Sequence, residues 1–229
     1  MNESFGKLYL VATPIGNLDD ITLRALNILR EVDVIAAEDT RHTRKLLSRF
    51  DIHTKLISYH AHNEHHKTDT LLEYIQAGKK IALVSDAGTP AIADPGFYLV
   101  REAVKKGIEP EVIPGVSALT FSAVAAGIPV DRFAFYGFPP VKSGRRQKFF
   151  EQIGNEDKSV FIFESPHRIT KALSNIVEYI GPETQVSVVR EATKVHEEIL
   201  RGTAEHLLTQ NGDRKWKGEC VIGIAPQLD

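Results

Sequence analysis

Short apolar runs recur along the chain and alternate with segments whose apolar positions repeat at helical spacing. The runs predict strands at 8–13, 32–37, 55–59, 80–84, 109–113, 132–138, 159–163, 185–190, 196–201 and 218–225. Several, such as Ile81–Val84, are apolar at every position, the pattern of a strand covered on both faces. Helical patterns fill the gaps. Asp20 is placed to cap a helix over 21–30, and Thr40 one over 41–50. Phe97, Val100 and Val104 recur at helical spacing, and Gly107 closes that helix. Ser165 and Pro166 read as an N-cap followed by proline at the first helical position, and Gly181-Pro182 ends the same helix. The segment Leu119–Gly127 has almost no polar position and is expected to be a buried helix.

This alternation predicts an α/β protein. The first half alternates strand and helix strictly, whereas the chain from about Gln185 reads as strands with few helices. The change in pattern predicts two α/β domains, 1–115 and 116–229, with mixed sheets flanked by helices and a boundary near Pro114–Ala118.

Composition narrows the function. Lys plus Arg number 28 and Asp plus Glu 30, a net charge of −2, so any nucleic-acid contact must be a local patch. The single cysteine, Cys220, excludes an intrachain disulfide and a cysteine-based zinc site, and suits a reducing compartment. The first residues show no signal-peptide pattern, and no apolar stretch reaches the ~20 residues of a membrane span. The expectation is a soluble cytoplasmic protein.

The candidate chemistry collects at predicted strand ends. Ser85-Asp86-Ala87-Gly88-Thr89-Pro90, followed by Asp94-Pro95-Gly96, joins an apolar strand to a helix. Small residues there let a ligand approach the backbone, and the carboxylates can accept from an ammonium or a ribose hydroxyl; a plain turn would show some of the same residues. Thr13-Pro14-Ile15-Gly16 carries one glycine where a dinucleotide fingerprint needs three, and no Gly-Lys-Ser/Thr follows. Dinucleotide binding of the Rossmann type and a P-loop are excluded, and the Rossmann class of methyltransferase is disfavoured. Pro114-Gly115-Val116-Ser117-Ala118 opens the apolar helix and either offers backbone N–H groups to a ligand or is a packed crossover.

Glu38-Asp39-Thr40-Arg41 is either a general base held by its counter-charge or a helix cap. His60, His62, His65 and His66 crowd around Asn63 and Glu64, but no standard metal spacing fits, so a polar loop or substrate contact is the expected role. Lys142, Arg145, Arg146 and Lys148, beside Phe149 and Phe150, suit either a phosphate grip with a stacking ring or a solvated helix face. Glu164 and His167 are polar groups at a strand end; Ser165 lacks the frame of a nucleophile elbow.

The ordered set LYLVATPIGNLDDIT, AAEDTRHT, LVSDAGTPAIADPG, IPGVSA, FYGFPP, FIFESPHR and REATKVHEE resembles the ribosomal small subunit methyltransferase I family, from about Lys7 to Ala225. The resemblance implies a tetrapyrrole-methylase fold with S-adenosylmethionine in a cleft between the domains. It also implies 2′-O-methylation of a cytidine (cytidine 1402) in the decoding centre of 16S rRNA, in the 30S subunit, by a homodimer without a metal. Carried over by motif, it puts cofactor contacts on Thr13, Pro14, Gly16, Ser85, Asp86, Ala87, Gly88, Pro90, Asp94, Ser117, Ala118, Phe163, Glu164, Ala192 and Thr193. Arg41, His60, Asn63 and the run Lys142, Arg145, Arg146 and Lys148 would face RNA. Glu38, Asp39 and Glu164 are the catalytic candidates, with His60 and His167 as further bases or orienters. Two alternatives keep the fold: a precorrin-type tetrapyrrole methylase, and a non-catalytic ribosome-assembly factor. A metal-dependent hydrolase built on the histidine cluster fits the residues least.

Overall fold

Strands β1 (Leu8–Val11), β2 (Val34–Ala37) and β4 (Ile81–Val84) are buried at every position. Residues so uniformly apolar are satisfied only at the centre of a sheet covered on both faces. The computed structural model, which describes residues 5–227, puts them there. They form the middle of a five-stranded sheet ordered β3-β2-β4-β1-β5, with β3 (Lys55–Ser58) and β5 (Glu111–Ile113) at its more exposed edges. Every pairing in this sheet is parallel.

Alternate residues serve opposite faces. Leu8, Leu10, Val34, Ala36, Ile81 and Leu83 pack with α3 (Glu64–Gln76) and α4 (Phe97–Lys105). Tyr9, Val11, Ile35, Ala37, Ala82 and Val84 pack with α1 (Leu23–Glu31) and α2 (Thr40–Arg49). Strand β4 therefore feeds its helix to one face while both neighbours, β1 and β2, feed theirs to the other. Loops that diverge in this way leave a crevice at the carboxyl end of the strand between them.

This first compact unit ends at Ser117, and a second begins at Ala118. The second contains α5 (Ala118–Ala125), β6 (Phe133–Phe135), α6 (Ser143–Gly154), β7 (Ser159–Glu164), α7 (Ile169–Tyr179), β8 (Gln185–Arg190), β9 (Glu198–Thr203), α8 (Ala204–Asn211) and β10 (Cys220–Ile224). Its sheet is ordered β6-β7-β10-β8-β9. Only β6 and β7 are parallel; the other pairs are antiparallel. One face buries Phe150, Ile153, Leu173, Ile176 and Leu207 of α6, α7 and α8. The other packs Phe161, Val189 and Val221 against Ala123 of α5 and against Ala126.

The two α/β sheets agree with the pattern of the sequence, with local corrections. The first sheet is wholly parallel, so only the second is mixed. The caps move by one or two residues: Thr22 caps α1, accepting from the Ala25 N–H at 3.0 Å, while Asp20 lies in a preceding 3-10 turn. Asp39 caps α2, so Thr40 is its first helical residue. Ser165 makes no side-chain cap bond, and a 3-10 turn at Pro166–Arg168 precedes α7. Helix α5 is not fully buried: Val124 is 86% exposed. Burial pushes the Cys220 thiol up to about 11, which keeps it protonated and unreactive. Among the described residues no helix is long and apolar enough to cross a membrane.

Candidate functional site

The loops that leave β1, β4 and β5 are tied together. Thr13 and Gly88 exchange both backbone hydrogen bonds, at 2.9 and 3.0 Å. The Thr13 hydroxyl also donates to the Ser85 carbonyl at 3.2 Å. Thr13, Pro14, Ser85, Gly88 and Pro90 are buried, whereas Gly16 is exposed at the turn. Gly88 has φ +76°, and a Cβ there would lie 3.3 Å from the Ile15 side chain and 3.7 Å from the Val116 carbonyl. Only glycine meets both demands without strain. Downstream, Ala91 and Ala93 also hold left-handed backbone, at φ 69° and 62°, before Asp94 and α4. Ser117 closes the unit after β5. Thr13, Gly88 and Val116 thus come together at adjoining strand ends, as the sequence expects of its three small-residue loops.

A second group forms at the ends of β2 and β4. Asp86 Oδ1 accepts from the Asp39 N–H at 3.0 Å, and Glu38 Oε2 accepts from the Asp86 N–H at 3.4 Å. Burial, reinforced by Asp86 and Asp39, raises the Glu38 carboxyl above its ordinary value; the Asp86 N–H and His60 oppose this. Asp39 behaves oppositely. Its two oxygens accept from the Arg41 guanidinium at 3.1 and 2.6 Å, and one also caps the Arg41 N–H at 2.8 Å. Those bonds hold the Asp39 carboxyl well below the usual carboxylate range. Asp39 therefore caps α2 and pairs with Arg41, which makes its carboxylate a weaker base than Glu38.

His60 and Asn63 are joined after β3. Asn63 Oδ1 accepts from the His60 N–H at 2.8 Å, which fixes the amide orientation, and its Nδ2 donates to the Ser58 hydroxyl at 2.9 Å. The same Nδ2 stands 3.3 Å from His60 Nε2. A donor on that side makes Nε2 the acceptor, which leaves Nδ1 as the other ring nitrogen. That buried nitrogen has no partner among the described residues. The sequence did not mark Ser58, whose hydroxyl locks the pair. Among the described residues no group of three or more His, Cys, Asp or Glu is arranged to hold a metal.

In the second unit, Glu164 is fully buried and fully used. Its Oε2 accepts from Arg146 Nη2 at 2.8 Å; its Oε1 accepts from Arg168 Nε and the Ser165 N–H, both at 2.8 Å. Arg146, 2% exposed, also donates to Asn175 Oδ1 at 2.8 Å and lies 5.2 Å from the Phe150 ring centre. Two calls are corrected here. Arg146 cannot face RNA, because helical spacing turns it inward from the run while Lys142, Arg145 and Lys148 stay exposed. Glu164 cannot serve as a base, because its charge is spent holding two arginines. Phe163 stacks edge-to-face with Phe135, ring centres 4.7 Å apart. Ala192 and Thr193 lie in the tight β8–β9 loop, where the Thr193 N–H donates to Glu197 at 2.6 Å and Lys194 bridges Glu191 and Glu219. His167 is exposed beside Glu164.

Comparison with known proteins identifies the family. Residues 7–208 match the family model of the Tetrapyrrole (Corrin/Porphyrin) Methylases. Solved structures share the fold. They include a cobalt precorrin-4 methyltransferase (TM-score 0.68, 22% identity, 95% of this chain and 94% of that one) and a diphthine synthase (0.71, 18%, 96% and 90%). A third is a Thermus thermophilus uroporphyrin-III C-methyltransferase complexed with S-adenyl homocysteine (0.66, 18%, 95% and 97%). Similarity in sequence is higher elsewhere. The ribosomal RNA small subunit methyltransferase I of Synechocystis sp. is 47% identical over 96% of this chain and 79% of its own. The protein of the same name from Escherichia coli O157:H7 is 46% identical over 96% and 78%. With that identity over nearly its full length, and with the fold and strand-end loops described, this chain belongs to the ribosomal RNA small subunit methyltransferase I family of the tetrapyrrole methylases.

Proposed function

We propose that the protein transfers a methyl group from S-adenosylmethionine to 16S rRNA of the small ribosomal subunit, at the ribose 2′-oxygen of a cytidine, cytidine 1402. The observation that carries methyl transfer to small-subunit rRNA is the 46–47% identity to methyltransferases so named over 96% of the chain; the cytidine 2′-oxygen is what the family resemblance implies. Likeness to the tetrapyrrole enzymes, at 22% identity or below in the structures compared, supports the fold alone. In this reading the protein acts in the cytoplasm, and a homodimer is the assembly the family resemblance implies.

The strand-end loops of the first unit fit the cofactor. Ala87 and Gly88 add no bulk at the crevice, and Glu38 and Asp86 form no salt bridge among the described residues, leaving negative charge for a cationic ligand. S-adenosylmethionine supplies, when bound, a methyl carbon made electrophilic by the sulfonium charge. The chain must then hold the hydroxyl in line and take its proton. Of the three carboxylates proposed as catalytic, Glu38 alone combines a free capacity to accept with a raised carboxyl. It is the general base in this reading, steadied by the Asp86 N–H, with His60 and Asn63 facing the RNA as the resemblance implies. Ser85, Asp86, Ala87, Gly88, Pro90, Asp94, Thr13, Pro14, Gly16 and Ser117 serve the cofactor from the first unit. Ala118, Phe163, Ala192 and Thr193 are the further cofactor contacts that the resemblance implies, and Glu164 acts only by holding its loop.

The reaction is tested with radiolabelled S-adenosylmethionine and 30S particles from cells lacking the endogenous enzyme. Label recovered in 2′-O-methylcytidine is expected; no transfer despite measured cofactor binding would overturn the reading. A Gly88→Val substitution forces a branched residue into left-handed backbone, a strain of about 1–2 kcal/mol. It is expected to lower cofactor affinity about tenfold by titration calorimetry.

A further inference from the structure

Helix α2 carries Arg41, Arg44, Lys45 and Arg49 and no acidic residue along its ten positions. Thr43, Leu46 and Leu47 are buried, so the cations all face solvent. Arg41 is held by Asp39. Arg44 and Lys45 form no ion pair among the described residues, and Arg49 meets only the Phe50 ring, 5.9 Å from its centre. The surface of α4 is different: Arg101 and Lys105 both pair with Glu102.

Most of this charge pattern works against the helix, and only Arg49, in the last turn, suits its dipole. Like charges four apart, as at Arg41, Lys45 and Arg49, destabilise it by a few tenths of a kcal/mol per pair (~0.2–0.5). Cations in its first turn also oppose the helix dipole. A solvated face would mix signs. The cations at 41, 45 and 49 rise about 6 Å apart along the axis, a ladder over roughly 12 Å. Its first rung stands two residues from Asp39, at the strand ends where Glu38, Asp39 and Asp86 meet. An extended polyanion is the partner that this stripe fits.

We propose that α2 grips the sugar–phosphate backbone of the RNA whose nucleoside enters at Glu38. The proposal rests on the reading of the chain as an rRNA methyltransferase. The chain as a whole is slightly acidic, so the stripe concentrates the attraction beside the site instead of spreading it over the surface.

The test compares wild type with the triple variant R44Q/K45Q/R49Q, each with S-adenosylmethionine bound. Affinity for unmethylated 30S subunits is measured across a series of KCl concentrations. Each lost phosphate contact lowers the slope of log K against log salt by about 0.7–0.9, so the variant is expected to lose about 2–3 from its slope. Lys171→Gln, an exposed cation on α7, leaves the slope unchanged. Unaltered cofactor affinity shows that the variant is folded; if it is not, R44Q and K45Q singly must each lower the slope by about 0.7–0.9. Because Cys220 is buried, Lys45→Cys accepts a photoreactive probe selectively, and cross-links to 16S rRNA are expected. A slope equal to wild type, or cross-links to ribosomal protein alone, would overturn the proposal while leaving the methyltransferase reading intact. A wild type that neither binds nor methylates 30S subunits would overturn both.

Discussion

Replacing Glu164 by Gln is expected to destabilise the protein by about 3–5 kcal/mol, the cost of leaving a buried cation uncompensated. Arg146 cannot escape the loss: it is 2% exposed, and one of its terminal nitrogens already lacks a partner among the described residues. The amide keeps one acceptor oxygen, so its NH2 group must face either Arg146 or the Ser165 N–H and Arg168, donors that it cannot satisfy. Urea denaturation measures the effect. The double variant R146M/E164Q should be less damaged than the sum of its parts, since removing both charges leaves no orphan. Turnover per folded molecule at low temperature separates this role from catalysis. A folded Glu164→Gln protein that methylates at near wild-type kcat fits a structural carboxylate; one that is stable but inactive would return Glu164 to the reacting atoms.

Glu38→Gln should do the reverse, losing activity and gaining stability. As a general base its removal is expected to cost about 10²–10⁴-fold in kcat. Its carboxyl is raised in the folded protein by burial and by Asp86 and Asp39. Between about pH 4.5, where the unfolded carboxyl titrates, and that raised value, the native state holds a proton that the unfolded chain has released. Stability therefore falls as pH rises through this window and stays lower above it. Gln cannot ionise, so the variant should show a higher Tm than wild type at pH 7 and lose that advantage below the window. In wild type, kcat/KM should rise with pH as Glu38 loses its proton. A Glu38→Gln enzyme with full activity, or one with an unchanged Tm profile, would contradict this account.

Most of the fold was legible because parallel βα units write themselves locally. Ile81–Val84 is apolar at all four positions since both of its faces are covered, and the loop that follows it carries its glycine where the backbone turns left-handed. The caps were less legible, because Asp19, Asp20 and Thr22, or Asp39 and Thr40, are all eligible and only three-dimensional reach chooses between them. Side-chain roles were the least legible. Nothing in Lys142-Ser143-Gly144-Arg145-Arg146 says that the second arginine turns inward to meet a glutamate in β7, eighteen positions on. Nor does the pair Glu38-Asp39 reveal that one carboxylate is claimed by Arg41 while its neighbour is left half-buried. The basic side of α2 did have a signal, the lack of any acid between Thr40 and Arg49, but it shows only once the helix is seen to bury its other face.

The place of β10 bears on how the second unit is made. This strand comes late in the sequence yet lies between β7 and β8. During synthesis β7 and β8 emerge together with bare hydrogen-bonding edges and an open gap where β10 belongs. The first unit, whose strands and helices follow one another in short crossovers, can close before that point. The second must wait for β10, and until it arrives the edges of β7 and β8 that it covers stay open to pairing with other chains.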